Sequence, residues 1–270
     1  MRGRAGRAAV AAVIAGLMLG VDTGAAGAQT LPSPGIPPPG ANDPGCRPAA
    51  AHPDPVVLVH GTFGDMTASW NLLSPVLRGL GYCVFALDYG HRAIDPVEQN
   101  AAELGAFVDR VLATTRASHV LVVGHSQGGM MPRYWMRFLG GAARVRGLVG
   151  LSPSNHGTTV GAAPIAGQGG CEACAEQVAG SAFLARLNAG GDTVGAVNYT
   201  VVQTVHDEVV TPYTSAFLRG PRVTDVTLQD RCPLDPVEHV GIIYDPVALQ
   251  WVVDALDHAG LADPEFRPVC

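Results

Sequence analysis

Gly124-His125-Ser126-Gln127-Gly128 has the form G-x-S-x-G, with a β-branched run over 120–123 before it and a stretch of helical character over 130–139 after it. In that context the serine sits on a turn so sharp that strand and helix pass close together, and the positions two before and two after must be small. Gly124 and Gly128 meet that demand. A serine hydroxyl is a poor nucleophile near neutral pH. It needs a base to take its proton and a carboxylate to hold that base in the correct tautomer, and on this type of sheet they follow in the order serine, acid, histidine. Asp207, in His206-Asp207-Glu208-Val209-Val210 just past the apolar run 197–205, is the expected acid, ahead of Glu208 and Asp192. His239, in Pro236-Val237-Glu238-His239-Val240, is the expected base, with His258, His206 and His156 as the alternatives. His60 and His125 come too early in chain order.

An oxyanion forming on a substrate carbonyl needs donors fixed in advance, each worth on the order of a hundred- to a thousand-fold in rate. The backbone N–H of Gln127, the residue after the nucleophile, is one. His60-Gly61-Thr62-Phe63-Gly64, after the first core run, supplies the glycine freedom for a second. Thr62 is the expected donor there, with Phe63 as the alternative and the Thr62 hydroxyl as a further donor.

These groups need a rigid scaffold. Apolar runs at 56–59, 82–87, 120–123, 145–151, 197–205 and 223–228 are continuous rather than alternating, as in parallel strands buried on both faces. Between the second and third, Val97, Ala101, Leu104, Val108 and Leu112 recur at three- and four-residue steps after Pro96, which predicts a crossover helix. A further helix is predicted over 246–259 with Gly260 as its stop. Strand, helix, strand order of this kind is that of an α/β fold with a parallel sheet covered on both faces.

Composition narrows the chemistry. With 47% hydrophobic and 15% charged residues, the chain is not a disordered one. Its 17 bases are all arginine, which removes Schiff-base, P-loop and lysine general-base chemistry. A net charge of -6 without basic runs beyond the first seven residues speaks against a nucleic-acid partner. Arg2, Arg4 and Arg7 precede an apolar stretch over 8–21, too short to span a bilayer, and Ala26-Gly27-Ala28 offers a small-x-small cleavage site. Residues 1–28 therefore read as a signal peptide cleaved before Gln29, and the protein as secreted. Nine of the 21 prolines fall between Pro32 and Pro55, so 29–52 reads as a stiff extended leader and 53–270 as the catalytic domain. Six cysteines in an oxidising compartment favour three disulfides. Cys171 and Cys174 are expected to pair locally, because no second CxxC or histidine pair supports zinc or a redox motif. Cys46 is expected to pair with Cys83, and Cys232 with Cys270, each tying a chain end to the body.

From about Asp54 to Cys270 the chain resembles the secreted bacterial triacylglycerol lipases of the α/β-hydrolase superfamily, in particular the actinobacterial lipase/esterase group with Gly-His-Ser-Gln-Gly elbows. His60-Gly61-Thr62 looks like that family's oxyanion loop, 124–129 its elbow and 152–158 the segment after its next strand. Residues 207–212 resemble its acid loop, and 229–239 its histidine loop. The resemblance implies an α/β-hydrolase fold: a mostly parallel central sheet, helices on both faces and a small cap. It implies hydrolysis of carboxylic esters, acylglycerols among them, through an acyl-serine, with nucleophile Ser126, acid Asp207, base His239, and donors at Thr62 and Gln127. No cofactor is expected, and no carboxylate cluster for a metal is evident, so calcium stays unassigned. The cap is expected over 155–195, with a short helix over 180–188 placing Phe183, Leu184 and Leu187, and with them Phe63, against an acyl group. The expected partner is an ester or lipid substrate, without stable membrane insertion, and the protein is expected to be a monomer. An acyltransferase, a peptidase or a polyester hydrolase would use the same triad, and a non-catalytic hydrolase-like binding protein would keep only the fold.

Overall fold

The computed structural model describes residues 35–160 and 170–270, so the expected signal peptide lies outside the described residues. Six strands form one sheet: β1 (Val56–Val59), β2 (Val84–Leu87), β3 (Val120–His125), β4 (Val145–Leu151), β5 (Asn198–Gln203) and β6 (Val223–Thr227). The strand order is β2-β1-β3-β4-β5-β6, and every neighbouring pair is parallel. Helices α1 (Met66–Trp70) and α2 (Leu73–Gly79) connect β1 to β2, and α3 (Val97–Thr115) connects β2 to β3. After α4 (Gln127–Phe138) comes β4, then a segment carrying α5 (Glu172–Glu176) and α6 (Ala182–Asn188) before β5. Beyond β6 lie α7 (Leu228–Arg231) and α8 (Pro246–Asp257).

The continuous apolar runs have a simple cause. Side chains along a strand point alternately to opposite faces, and here both faces are covered. Val57, Val59, Phe85, Leu87, Val120 and Val122 pack in one core with α3 and α4. Their neighbours Val56, Leu58, Val84, Ala86, Leu121 and Val123 pack in the other with α1, α2 and α8. The last run departs from the expected pattern: β6 is an edge strand in which Val226 is buried while Asp225 is exposed, and Leu228 already begins α7. The run at 82–87 enters the ladder only at Val84, and the one at 197–205 pairs from Asn198 to Gln203.

Helix α3 starts directly after Pro96 and buries Val97, Ala101, Leu104 and Val108 completely, but Val111 rather than Leu112 completes its inner face. Helix α8 donates its Ala248 N–H to the Asp245 side chain at its start and ends at Asp257, two residues short of the expected end. Ala259 and Gly260 turn left-handed there, and a Cβ on Gly260 would lie 2.5 Å from the Gly147 Cα of β4. Only glycine permits that approach of the helix exit to the sheet.

Part of the expected leader is held on the body. Asn42 lies along the outer edge of β2: its N–H donates to the Val84 carbonyl (2.9 Å), its Nδ2 donates to the Ala86 carbonyl (2.8 Å), and its Oδ1 accepts from the Ala86 N–H (2.8 Å). The backbone N–H and side chain of Asn42 thus stand in for a neighbouring strand along this edge. The Ser74 hydroxyl holds the Pro39 carbonyl beside it.

The disulfides are Cys46–Cys83, Cys171–Cys174 and Cys232–Cys270, the three expected pairs. Cys232–Cys270 closes a loop of sequence separation 38, for which chain entropy assigns about 3–4 kcal/mol. Replacing both cysteines by serine should lower the unfolding free energy by about that amount, read as a shift of the urea midpoint; an unchanged midpoint would show that the cross-link does not stabilise the fold.

Candidate active site

Strand β3 ends at His125 and α4 begins at Gln127, leaving Ser126 alone between them at φ 53 and ψ -121. A non-glycine residue held there stores about 1–3 kcal/mol of backbone strain, and the surroundings maintain it. The Ser126 N–H donates to the Leu151 carbonyl of β4 (2.9 Å), and its own carbonyl accepts from Gly129 N–H (2.9 Å). The glycines are required by contact. A Cβ on Gly124 would lie 1.8 Å from the Gly128 oxygen, and one on Gly128 would lie 2.2 Å and 2.4 Å from the carbonyl oxygens of Val59 and His60.

Asp207 and His239 come from loops beyond β5 and β6 and meet across 32 residues of sequence: His239 Nδ1 is 2.8 Å from Asp207 Oδ2. Both side chains are buried. The other carboxylate oxygen accepts the N–H groups of Val209 (2.9 Å) and Val210 (2.7 Å), which fixes its plane. Burial alone would raise the Asp207 pKa, but the hydrogen bond and charge of His239, with those two N–H groups, hold it below the usual carboxylate range. Since the carboxylate accepts, Nδ1 carries the imidazole proton, and a neutral ring keeps its lone pair on Nε2.

The elbow and the histidine loop are joined through His125. Its Nε2–H donates to the His239 carbonyl (2.9 Å), and the two rings lie 4.9 Å apart. Burial, with the neighbouring His239, pushes the His125 pKa down to about 3, so this imidazole is a neutral strut rather than a base. His60 is likewise neutral: burial lowers its pKa, and its Nδ1–H donates to the Gly61 carbonyl.

The loop after β1 packs directly on the elbow. A Cβ on Gly61 would lie 2.9 Å from His125 Nδ1 and 3.0 Å from Ser126 Cβ. Next in the chain, the Thr62 hydroxyl oxygen lies 2.8 Å from Gln127 Nε2, which also donates to the Ala93 carbonyl (2.8 Å). Asn100, fully buried on α3, donates to Gln127 Oε1 (3.0 Å). Arg92 clamps the neighbouring Phe63 from both sides. Its carbonyl accepts the Phe63 N–H (2.8 Å), and its guanidinium donates twice to the Phe63 carbonyl (3.0 and 2.7 Å). His91, Arg92 and Ala93 are all left-handed, at φ 47, 68 and 59, so the turn that supports the loop is itself strained. Thr62 and Gln127 are therefore brought together. Nothing in residue type or spacing marks Arg92; Asn100, a polar residue on the mostly apolar inner face of α3, left a trace of its role.

The alternative residues lie elsewhere or serve other contacts. Glu208 and His206 are exposed. Asp192 bonds His156 (3.1 Å) and the Arg219 N–H, and Arg133 donates to its carbonyl, well within the segment between β4 and β5. His258 bonds Asp254 at the end of α8. Of the side chains expected to face an acyl group, Phe63 is 48% exposed beside Thr62. Phe183 stacks on Tyr134 of α4, and Leu184 and Leu187 join it in the core with Met130 and Met131, so their place is one of packing. Helix α6 begins at Ala182 behind a Ser181 cap rather than at residue 180, because the Ser181 hydroxyl accepts the Leu184 N–H. Among the described residues no cluster suited to a metal ion occurs, and no helix is long and apolar enough to cross a membrane.

Triacylglycerol lipases of Pseudarthrobacter phenanthrenivorans and Burkholderia plantarii are each 35% identical over 86 residues, 30% of this chain. The match spans about a quarter of their length (27% and 24%). Aspergillus fumigatus lipase B superposes with a TM-score of 0.69 at 23% identity, over 86% of this chain and 64% of that one. The mature form of Bacillus licheniformis lipase BlEst2 gives 0.61 at 18% identity, over 79% and 94%. The fold is thus that of the α/β-hydrolases. A family model described as lipase (class 2) matches residues 53–252, from the residue before Asp54 at the foot of β1 to the middle of α8, and takes in Ser126, Asp207 and His239. The chain belongs to the class 2 lipase family.

Proposed function

We propose that this protein is an exported serine hydrolase that cleaves carboxylic esters, acylglycerols among them, through an acyl-serine intermediate on Ser126. The observation that carries the reading is the Asp207–His239 pair, held at 2.8 Å and tied through His125 to a strained elbow bearing Ser126. The names of the curated relatives, triacylglycerol lipases, supply the substrate class. His239 Nε2 takes the Ser126 proton as Oγ attacks the ester carbon, and the imidazolium is stabilised by Asp207, which stays ionised. The tetrahedral oxyanion is met by the backbone N–H groups of Thr62 and Gln127, with the Thr62 hydroxyl as a further donor. His239 then returns its proton to the departing alkoxide, and a water activated by the same imidazole releases the acid. Phe63, exposed beside Thr62, is the side chain offered to the acyl portion of the substrate. Export after removal of residues 1–28 accords with three disulfides and a chain that holds no free cysteine among its described residues.

An active-site organophosphonate followed by peptide mapping tests the assignment. The label is expected on Ser126 alone; a stoichiometric label on another serine would overturn the site. Turnover of p-nitrophenyl esters from acetate to palmitate by the unlabelled enzyme would then separate a preference for soluble short esters from one for long acyl chains.

A further inference from the structure

Thr62 is held by two amides, and only one belongs to the elbow. The second is Gln177, the residue that caps the C-terminal end of α5 in the segment between β4 and β5, 115 positions away in sequence. Gln177 Nε2 lies 3.1 Å from Thr62 Oγ1 and 3.0 Å from the Ala173 carbonyl, and Gln177 Oε1 lies 2.7 Å from the Ser154 hydroxyl. A carbonyl can only accept, so the Ala173 contact fixes Nε2 as the donor and settles which way the amide points. The same reasoning fixes Gln127, whose Nε2 donates to the Ala93 carbonyl and to Thr62 Oγ1. A hydroxyl oxygen has two lone pairs and one proton. Both acceptor directions of Thr62 are filled by amide N–H groups, so its proton is the one group left for a substrate oxygen.

We infer that Gln177 is a positioning residue for ester hydrolysis: with Gln127, it locks the Thr62 hydroxyl as a donor aimed at the developing oxyanion. The inference rests on the proposed function and extends it to a residue of the segment between β4 and β5. With one amide alone, the Thr62 proton is free to rotate into the direction that Gln177 now occupies, and part of the population presents a lone pair to the oxyanion. Two donors on one hydroxyl also polarise it, which strengthens the bond it gives. A donor fixed before the reaction needs no reorientation as charge develops, so the effect belongs to kcat rather than to KM.

A double-mutant cycle between Gln177→Met and Thr62→Val, with p-nitrophenyl butyrate as substrate, tests this. Methionine keeps the length of glutamine and removes the N–H. Gln177→Met is expected to lower kcat roughly 3- to 10-fold with KM nearly unchanged, the size of one neutral hydrogen bond. Thr62→Val is expected to lower kcat on the order of a hundred-fold, as loss of one oxyanion donor does. In the Thr62→Val background, Gln177→Met should then change nothing further. Gln177→Glu gives a second reading should the methionine variant fail to fold: a carboxylate accepts the Thr62 proton and turns it from the substrate, so kcat should fall toward the Thr62→Val level. Equal losses from Gln177→Met in both backgrounds, a change in KM alone, or no change in kcat would each overturn the inference. A wild-type protein that fails to turn over esters would sink the proposed function itself. Wild-type turnover with a silent Gln177→Met leaves that function standing and removes only Gln177.

Discussion

Ser126→Ala is expected to lower kcat for ester hydrolysis by about 10⁵- to 10⁶-fold without unfolding the protein, and Ser126→Gly to do the same while making the protein harder to unfold. The first half follows from the chemistry. Without Oγ there is no atom for the acyl group to join, and the residual rate comes from water in a site that keeps its oxyanion donors. The second half follows from the backbone. Ser126 sits at φ 53 and ψ -121, where a Cβ clashes with its own main chain and glycine does not. Relief of about 1–3 kcal/mol of strain is partly offset by the extra freedom glycine has when unfolded, about 0.4–1 kcal/mol. A net gain near 1 kcal/mol should appear as a higher urea midpoint. The alanine variant, which keeps the Cβ, should unfold at the wild-type midpoint. Wild-type turnover by Ser126→Ala would end the proposed mechanism. A glycine variant no more stable than alanine would show that the elbow is not where strain is stored.

What the sequence disclosed and what it withheld divide along the range of the interactions. The elbow was legible because backbone packs so closely on 124 and 128 that only glycine fits, within the turn at Gly124 and against the end of β1 at Gly128, and glycine is visible in a sequence whatever enforces it. The strands were legible because burial on both faces writes an unbroken apolar run; β6 misled because it lies at an edge, with one flank uncovered. Asp207 and His239 were singled out from chain order, and they meet because a parallel sheet brings loops at the carboxyl ends of successive strands to one end of the molecule. The roles of Arg92 and Gln177 were not legible. Each acts through hydrogen bonds to a residue far away in sequence, and nothing in residue type or spacing reports where a long polar side chain will end. Phe183 and Leu187 carried a helical apolar pattern that suits either a ligand or a core, and packing on α4 decided between them. The docking of Asn42 on β2 was hidden for a similar reason: a proline-rich segment has no periodicity, and Asn42 meets the sheet through one backbone N–H and a side chain that imitates a strand.

Asp207→Asn is expected to cost about 10⁴-fold in kcat, the loss associated with removing the charge and reversing the tautomer of a triad histidine. An asparagine presenting its N–H to His239 Nδ1 makes that nitrogen an acceptor and moves the ring proton to Nε2, where no lone pair remains for the Ser126 hydroxyl. Glu208→Gln, one residue on but exposed, should leave kcat within about twofold, as surface substitutions away from the chemistry do. Stability gives an independent reading of the same group. Burial works against the Asp207 charge, but His239 and the N–H groups of Val209 and Val210 more than offset it, so the folded pKa lies below the unfolded one. A group depressed in this way stabilises the fold above its unfolded pKa of about 4, and that stabilisation disappears as pH falls through the folded value. The urea midpoint of Asp207→Asn should therefore fall below wild type at pH 7, and the two should converge as pH is lowered past 4. A variant equal to wild type at pH 7 in both kcat and midpoint would mean that the His239–Asp207 contact at 2.8 Å neither orients the base nor holds its loop, and the acid would have to be sought elsewhere.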